Sequence, residues 1–91
     1  MKLLFTEEAW EDYRSWTDGD PRTLARLNAL IEDVRRNKFA GLGKPEPLKG
    51  DLTGWWSRRI TGEHRLVYRI VGKPGSDQRI EIVACRYHYA D

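Results

Sequence analysis

The chain is expected to adopt an α+β fold in which two helices from its first half pack on one face of a mainly antiparallel twisted sheet built by its second half. Three observations predict this. Apolar residues recur at helical spacing from Ala9 to Val34. From Trp55 onward the period shortens to that of strands, in runs separated by glycine-containing connections. With 91 residues there is room for one modest core and not for two, so both halves must share it and residues 1–91 form a single domain.

Taken in order, "KLLF" at 2–5 reads as a strand that ends at Thr6, an N-cap, with Glu7 and Glu8 in the first helical turn where the dipole favours acids. Ala9, Trp10, Tyr13 and Trp16 then make one apolar stripe through about residue 17. A second start signal follows, Asp20 as cap and Pro21 at the first helical position. Leu24, Leu27, Leu30, Ile31 and Val34 share one side of this helix, while Arg22, Arg26, Glu32, Arg35 and Arg36 face away. The stretch "GLGKPEPLKGDLTG" reads as a loop, "WWSRRI" at 55–60 as a strand, "TGE" as a turn, "HRLVYRIV" at 64–71 as the next strand, "GKPGSD" as a loop, and "RIEIVACRY" from 79 as the last strand. Short connections make an antiparallel meander, with the N-terminal strand added to it. Leu66, Tyr68 and Ile70 share one face of the middle strand and leave Arg65, Val67, Arg69 and Val71 on the other. A sheet with helices on one side only leaves a face open for something large.

Composition narrows the classes of function. Forty per cent apolar and 33% charged residues describe a folded chain. One cysteine, Cys85, allows no internal disulfide, and without a CxxC or a histidine cluster no structural zinc site and no cofactor are expected. Cys85 reads as a small buried hydrophobe. The apolar opening is too short for a signal peptide and no stretch approaches a membrane span, so a cytoplasmic protein without membrane association is expected. The net charge of +2 is unevenly placed: residues 1–34 hold four Lys or Arg against eight Asp or Glu, and residues 35–91 hold twelve against six. A basic face built by the second half suits a phosphate backbone.

The chain carries no GxxxxGK[ST] loop and no serine elbow, so phosphate chemistry falls to bare side chains. The basic half holds Glu46, Lys49, Arg58, Arg59, Arg65, His88 and Tyr89. Those types supply what metal-free RNA cleavage needs: a base for the 2′-hydroxyl, cations for the charge growing on phosphorus, and an acid for the departing 5′-oxygen. Each also has an ordinary reading. Glu46, held extended between Pro45 and Pro47, reads by itself more commonly as a surface loop acid, and Arg65 equally as a solvated sheet arginine. His64, beside the "TGE" turn, has no claim beyond that of any exposed turn residue. Of Trp55 and Trp56, one indole points to the core and the other outward.

The blocks "MKLLFTEEAWEDY", "GKPEPLKGDLTGWWSRRITGEHRLVYRI" and "ACRYHY" together resemble the YoeB toxins, a branch of the RelE superfamily of ribosome-dependent mRNA interferases. The resemblance covers nearly the whole chain. It implies a microbial-RNase-like fold, a homodimer, a YefM-like antitoxin that folds around the toxin, and action on mRNA held by the ribosome, so that translation is inhibited. Residue by residue, it implies a general base at Glu46, a phosphate-binding arginine at Arg65, and a terminal acid and aromatic at His88 and Tyr89. Lys49, Arg58, Arg59 and Trp55 are the further substrate-binding candidates. Where the family's chain stops at the tyrosine, this one continues with Ala90 and Asp91, and its "GKPGSDQ" connection is longer. Strict alternation puts His88 on the face of Ile80, Ile82 and Ala84, so a bulge or strand end near Arg86 must turn it toward Arg65. The alternative function is a translation inhibitor that binds RNA or the ribosome without cutting, and a third is a small subunit whose exposed tryptophan marks an interface.

Overall fold

The computed structural model describes residues 1–87, so the expectations for His88, Tyr89, Ala90 and Asp91 lie outside the described residues. The elements are β1 (Lys2–Phe5), α1 (Glu7–Thr17), α2 (Pro21–Arg36), β2 (Glu46–Pro47), a single 3₁₀ turn at Gly50–Leu52, β3 (Trp56–Arg59), β4 (Arg65–Val71) and β5 (Arg79–Ala84). They form one five-stranded sheet in the order β1-β5-β4-β3-β2, with β1 parallel to β5 and the other pairs antiparallel. The fold is the expected α+β architecture, and it adds the short edge strand β2 where the sequence suggests only loop.

Both helices start where their caps place them. The Thr6 hydroxyl accepts from the Ala9 N–H at 3.2 Å, and the Asp20 carboxylate accepts from the Arg22 N–H at 3.0 Å with Pro21 just inside. Each cap satisfies an N–H that the first turn cannot pair internally. The helices bury Ala9, Trp16, Leu27, Leu30, Ile31 and Val34 against Ile60, Leu66, Tyr68, Ile80 and Ile82 of the sheet. Trp10 departs from the expected stripe. It is exposed, stacked on Tyr13 at 5.7 Å and edge-on to Phe5 at 5.6 Å, because its position falls on the flank of α1.

The register of β5 breaks once. Tyr68 pairs with Ile82, yet Val67 pairs with Ala84, so Val83 is the extra residue of a β-bulge. Its consequence is a change of phase. Ala84 joins the row of Val67, on the side away from the helices, and Cys85 returns to the core with its sulfur 3.6 Å from the Ala9 carbonyl. The bulge expected near Arg86 therefore lies three residues earlier, at Val83.

The segment between α2 and β2 is tied down by Gly43, whose carbonyl accepts from the Arg59 N–H at 2.7 Å while its φ is +80°. A Cβ there would stand 2.8 Å from Leu30 Cδ2 and 3.1 Å from the Arg59 carbonyl. Gly43→Ala should therefore cost about 1–3 kcal/mol of stability through strain and overpacking, read as a lower urea midpoint with an unchanged m-value. A shift within error would show that the loop can move away from β3.

Candidate active site on the open sheet face

Register decides which side chains share the face opposite the helices. Glu46 pairs with Ser57, Ser57 with Val67 and Val67 with Ala84, so these four form one row across the sheet. Directly paired residues point to the same side. Ser57, Val67 and Ala84 are buried but stand outside the core cluster, and they make a floor of small side chains. On one side of this row Arg59 pairs with Arg65. On the other, the Arg69 guanidinium lies 4.5 Å over the Trp55 ring.

Glu46 reaches this face because β2 is an edge strand. Pro47 lacks an N–H and is tolerated only at such an edge, and Pro45 keeps Glu46 extended. The carboxylate-bearing residue is exposed at one end of the row. Arg59 and Arg65 stand directly opposite each other, and among the described residues neither forms an ion pair. Like charges in that position repel, an arrangement that becomes favourable when an anion sits between them. Arg65 is half-buried, and its guanidinium donates to the Thr61 carbonyl at 2.8 Å, which aims it with part of its donor set still open. Lys49 is exposed at the start of the 3₁₀ turn, and Trp55 is half-buried under Arg69. Arg69 and Arg79 each donate to Glu81 at 2.8 Å, and these hydrogen bonds, Arg69's first, hold the Glu81 carboxyl below its ordinary pKa. Arg69 thus shares a carboxylate with Arg79, whereas among the described residues Arg59 and Arg65 have none.

Arg58 does not belong to this face, which corrects its expected role in substrate binding. It pairs with Leu66, points toward the helices and is wholly buried. Its guanidinium donates to Asp33 at 2.6 Å, to the carbonyls of Ala40 at 2.8 Å and Leu42 at 3.2 Å, to the Asn37 carbonyl, and to the Tyr68 hydroxyl at 3.2 Å. No donor is left for phosphate. Arg58 pins the α2–β2 connection from beneath, whereas its neighbour Arg59 faces out.

The approach to the chain end is held from two sides. From α1, Trp16 Nε1 donates to the Cys85 carbonyl at 2.8 Å, Asp12 accepts the Cys85 N–H at 3.1 Å, and Ser15 Oγ accepts from Arg86 at 2.7 Å. From the β3–β4 turn, His64 Nδ1 accepts the Tyr87 N–H at 2.7 Å and the Arg65 N–H donates to the Tyr87 carbonyl at 2.7 Å. The reading of His64 as an ordinary exposed turn residue is therefore overturned: its side chain is 13% exposed, edge-on to Trp16 at 4.8 Å, and bonded to the last described residue. Tyr87 has φ +59°, so the backbone turns sharply beside Arg65 just before His88.

Nucleophilic chemistry at the cysteine finds little support. Burial, with the Asp12 charge adding to it, pushes the Cys85 thiol up to about 12, which keeps it protonated and inert. Among the described residues no three His, Cys, Asp or Glu side chains converge in a way that could hold a metal ion.

Two helices packed on one face of a mainly antiparallel twisted sheet is the RelE/YoeB-like fold of small toxins. The toxin from Agrobacterium tumefaciens described as YoeB/ParE has the same fold, with a TM-score of 0.91 at 55% identity over 98% of this chain and 100% of its own. The YoeB chain in a heterotetrameric YoeB–YefM toxin–antitoxin complex from Staphylococcus aureus follows with a TM-score of 0.84 at 41% identity, 98% of each chain being covered. Toxin YoeB of Escherichia coli K12 is 54% identical over 89 residues, 98% of this chain and all of that protein. Residues 5–89 match the family described as YoeB-like toxin of bacterial type II toxin-antitoxin system, and the chain belongs to that family.

Proposed function

We propose that this toxin is a ribosome-dependent endoribonuclease that cuts mRNA in the ribosomal A site and so inhibits translation. The observation that carries the reading is the placement of Glu46 and the opposed Arg59–Arg65 pair on one open sheet face, with the backbone leading to His88 hydrogen-bonded to Arg65. Glu46 takes the proton of the 2′-hydroxyl, and that oxygen attacks the adjacent phosphorus. Arg65 and Arg59 hold the charge that grows on the non-bridging oxygens, with Lys49 adding positive potential. His88 gives a proton to the departing 5′-oxygen, and Tyr89 packs on the RNA beside it. The products are a 2′,3′-cyclic phosphate and a free 5′-hydroxyl, with atoms and protons balanced and no metal required. Trp55, with the Arg69 guanidinium 4.5 Å over its ring, places an aromatic and a cation together beside this face, where a base can pack against them.

The partners follow from the same face. The Staphylococcus aureus relative is seen in a heterotetrameric complex with YefM, and a YefM-like antitoxin is the partner here; a carboxylate-rich segment of it would neutralise the arginine pair and cover Glu46. The toxin itself acts as a homodimer in the cytoplasm; among the described residues no helix is long and apolar enough to cross a membrane.

The chain is short and its working face open, so it lacks loops to bend RNA into the in-line geometry that attack requires. Positioning by a host can supply several kcal/mol of the barrier. The expected result is single-turnover cleavage at least about 10²-fold faster on mRNA in a vacant A site than on the same RNA in solution, with cyclic phosphate and 5′-hydroxyl ends and no loss in EDTA once ribosome integrity is controlled. Equal rates on both substrates would remove the ribosome from the mechanism. Blocked translation without new RNA ends would replace cleavage by binding alone.

A further inference from the structure

The strongest feature that the catalytic scheme does not use is the imidazole of His64. The turn that carries it is fixed by local bonds: Thr61 Oγ1 accepts the N–H groups of Glu63 and His64 at 3.2 and 3.1 Å, and the His64 carbonyl accepts from the Ile60 N–H at 2.9 Å. Its ring is set edge-on against Trp16 at an interplanar angle of 83°, and Trp16 is itself bonded to the Cys85 carbonyl. Since Nδ1 accepts the Tyr87 N–H, the proton of the neutral ring resides on Nε2, which lies 3.8 Å from Glu63. The bonded residue is the one with φ +59°, a conformation that a tyrosine keeps only when its surroundings hold it.

We propose that His64 is a positioning residue for the terminal catalytic pair: its Nδ1 lone pair, by holding the Tyr87 N–H, fixes the left-handed turn from which His88 and Tyr89 depart. The role is distinct from proton transfer. His64 touches no reacting atom, and its effect reaches the phosphate through the backbone of a neighbouring segment. Arg65 completes the grip by donating its own N–H to the Tyr87 carbonyl, so two consecutive residues, His64 at the end of the turn and Arg65 at the start of β4, bind both backbone polar groups of Tyr87. A tilt at this turn moves the proposed proton donor relative to Arg65, and a misplacement of about 1 Å is enough to cost on the order of 10²-fold in rate.

The inference rests on the ribonuclease reading, and the test separates the two. His64→Leu keeps apolar bulk beside Trp16 and removes the acceptor, whereas His64→Asn places an amide oxygen near the position of Nδ1. Expected on ribosome-bound mRNA is a fall of about 10²-fold in the single-turnover rate for His64→Leu with ribosome affinity unchanged, and recovery of most of that loss in His64→Asn. In the same proteins the Tyr87 amide should exchange with solvent faster in His64→Leu and be protected again in His64→Asn. Nitrogen NMR of the wild type should show an unprotonated His64 Nδ1, a measurement that needs no variant to fold. An active wild type with an equally active His64→Leu, or a protonated Nδ1 in the neutral ring, would overturn the positioning role and leave the ribonuclease reading standing. A wild type that cuts no RNA would overturn both.

Discussion

Glu46→Gln is expected to lower single-turnover cleavage of ribosome-bound mRNA by about 10²-fold or more, the scale for losing a positioned general base, the role proposed for Glu46, while the melting temperature stays close to that of wild type. The substitution is nearly isosteric, so whatever Glu46 contributes by shape or hydrogen bonding survives in the amide, and only the capacity to take a proton is lost. Stability should be indifferent because Glu46 is exposed, stands outside the core and forms no ion pair among the described residues. Its backbone geometry is held by the flanking prolines and by pairing with Ser57, neither of which the side-chain change touches. Ribosome affinity should rise slightly if it changes at all, since a negative charge beside phosphate is removed. The informative comparison is therefore between rate and binding in one protein. A rate near wild type with intact binding would dismiss Glu46 as the base, and the search would then turn to groups that the ribosome supplies.

The parts of this fold that the sequence predicts are those where one local rule acts alone. The caps at Thr6 and Asp20, Pro21 in the first turn and the leucine stripe of α2 all act within a few residues, and the structure repeats them. Glu46–Pro47 is legible only as loop because a two-residue edge strand has no periodicity of its own; it exists because β3 offers it a partner. Arg58 is within reach of sequence reasoning, since neighbours on a strand face opposite ways and Arg58 and Arg59 cannot both line one sheet face. A fully buried arginine is rare enough that charge alone argued the other way. The phase of β5 needed tertiary knowledge. Val83 looks like any other strand residue, and only its lack of a partner between Ile82 and Ala84 marks the bulge. His64 was hidden for a related reason: its partners Trp16 and Tyr87 lie far from it in sequence, at spacings no motif records.

Arg58→Met should lower folding stability by about 3 kcal/mol, within the range for breaking a buried ion pair, and should leave the chemistry of the remaining folded molecules largely unchanged. Methionine fills much of the volume against Leu66 and Tyr68 but can donate to none of the five groups that Arg58 serves. The carbonyls of Asn37, Ala40 and Leu42 lose their donor, Asp33 loses its cation, and the α2–β2 connection that these bonds draw against the sheet is released. An arginine that bound substrate would give the opposite pattern, a loss of rate at constant melting temperature, so calorimetry with single-turnover kinetics distinguishes the two. Acid sharpens the test. The Leu42 N–H, and after it the Arg58 guanidinium, hold the Asp33 carboxyl below the ordinary carboxylate range. A carboxyl with a lower pKa folded than unfolded binds fewer protons in the folded state, so its contribution is complete at neutral pH. It is lost as the pH falls from about 4 through the lower folded value. Wild-type stability, measured by urea unfolding at a series of pH values, should decline over that window, and the decline should be shallower in Arg58→Met. Some slope must persist in the variant, because the Leu42 N–H still favours the ionised acid and Glu81 retains its own two arginines. An unchanged acid slope together with an unchanged neutral stability would mean that the buried guanidinium is replaceable, and that the loop above β3 holds its place without it.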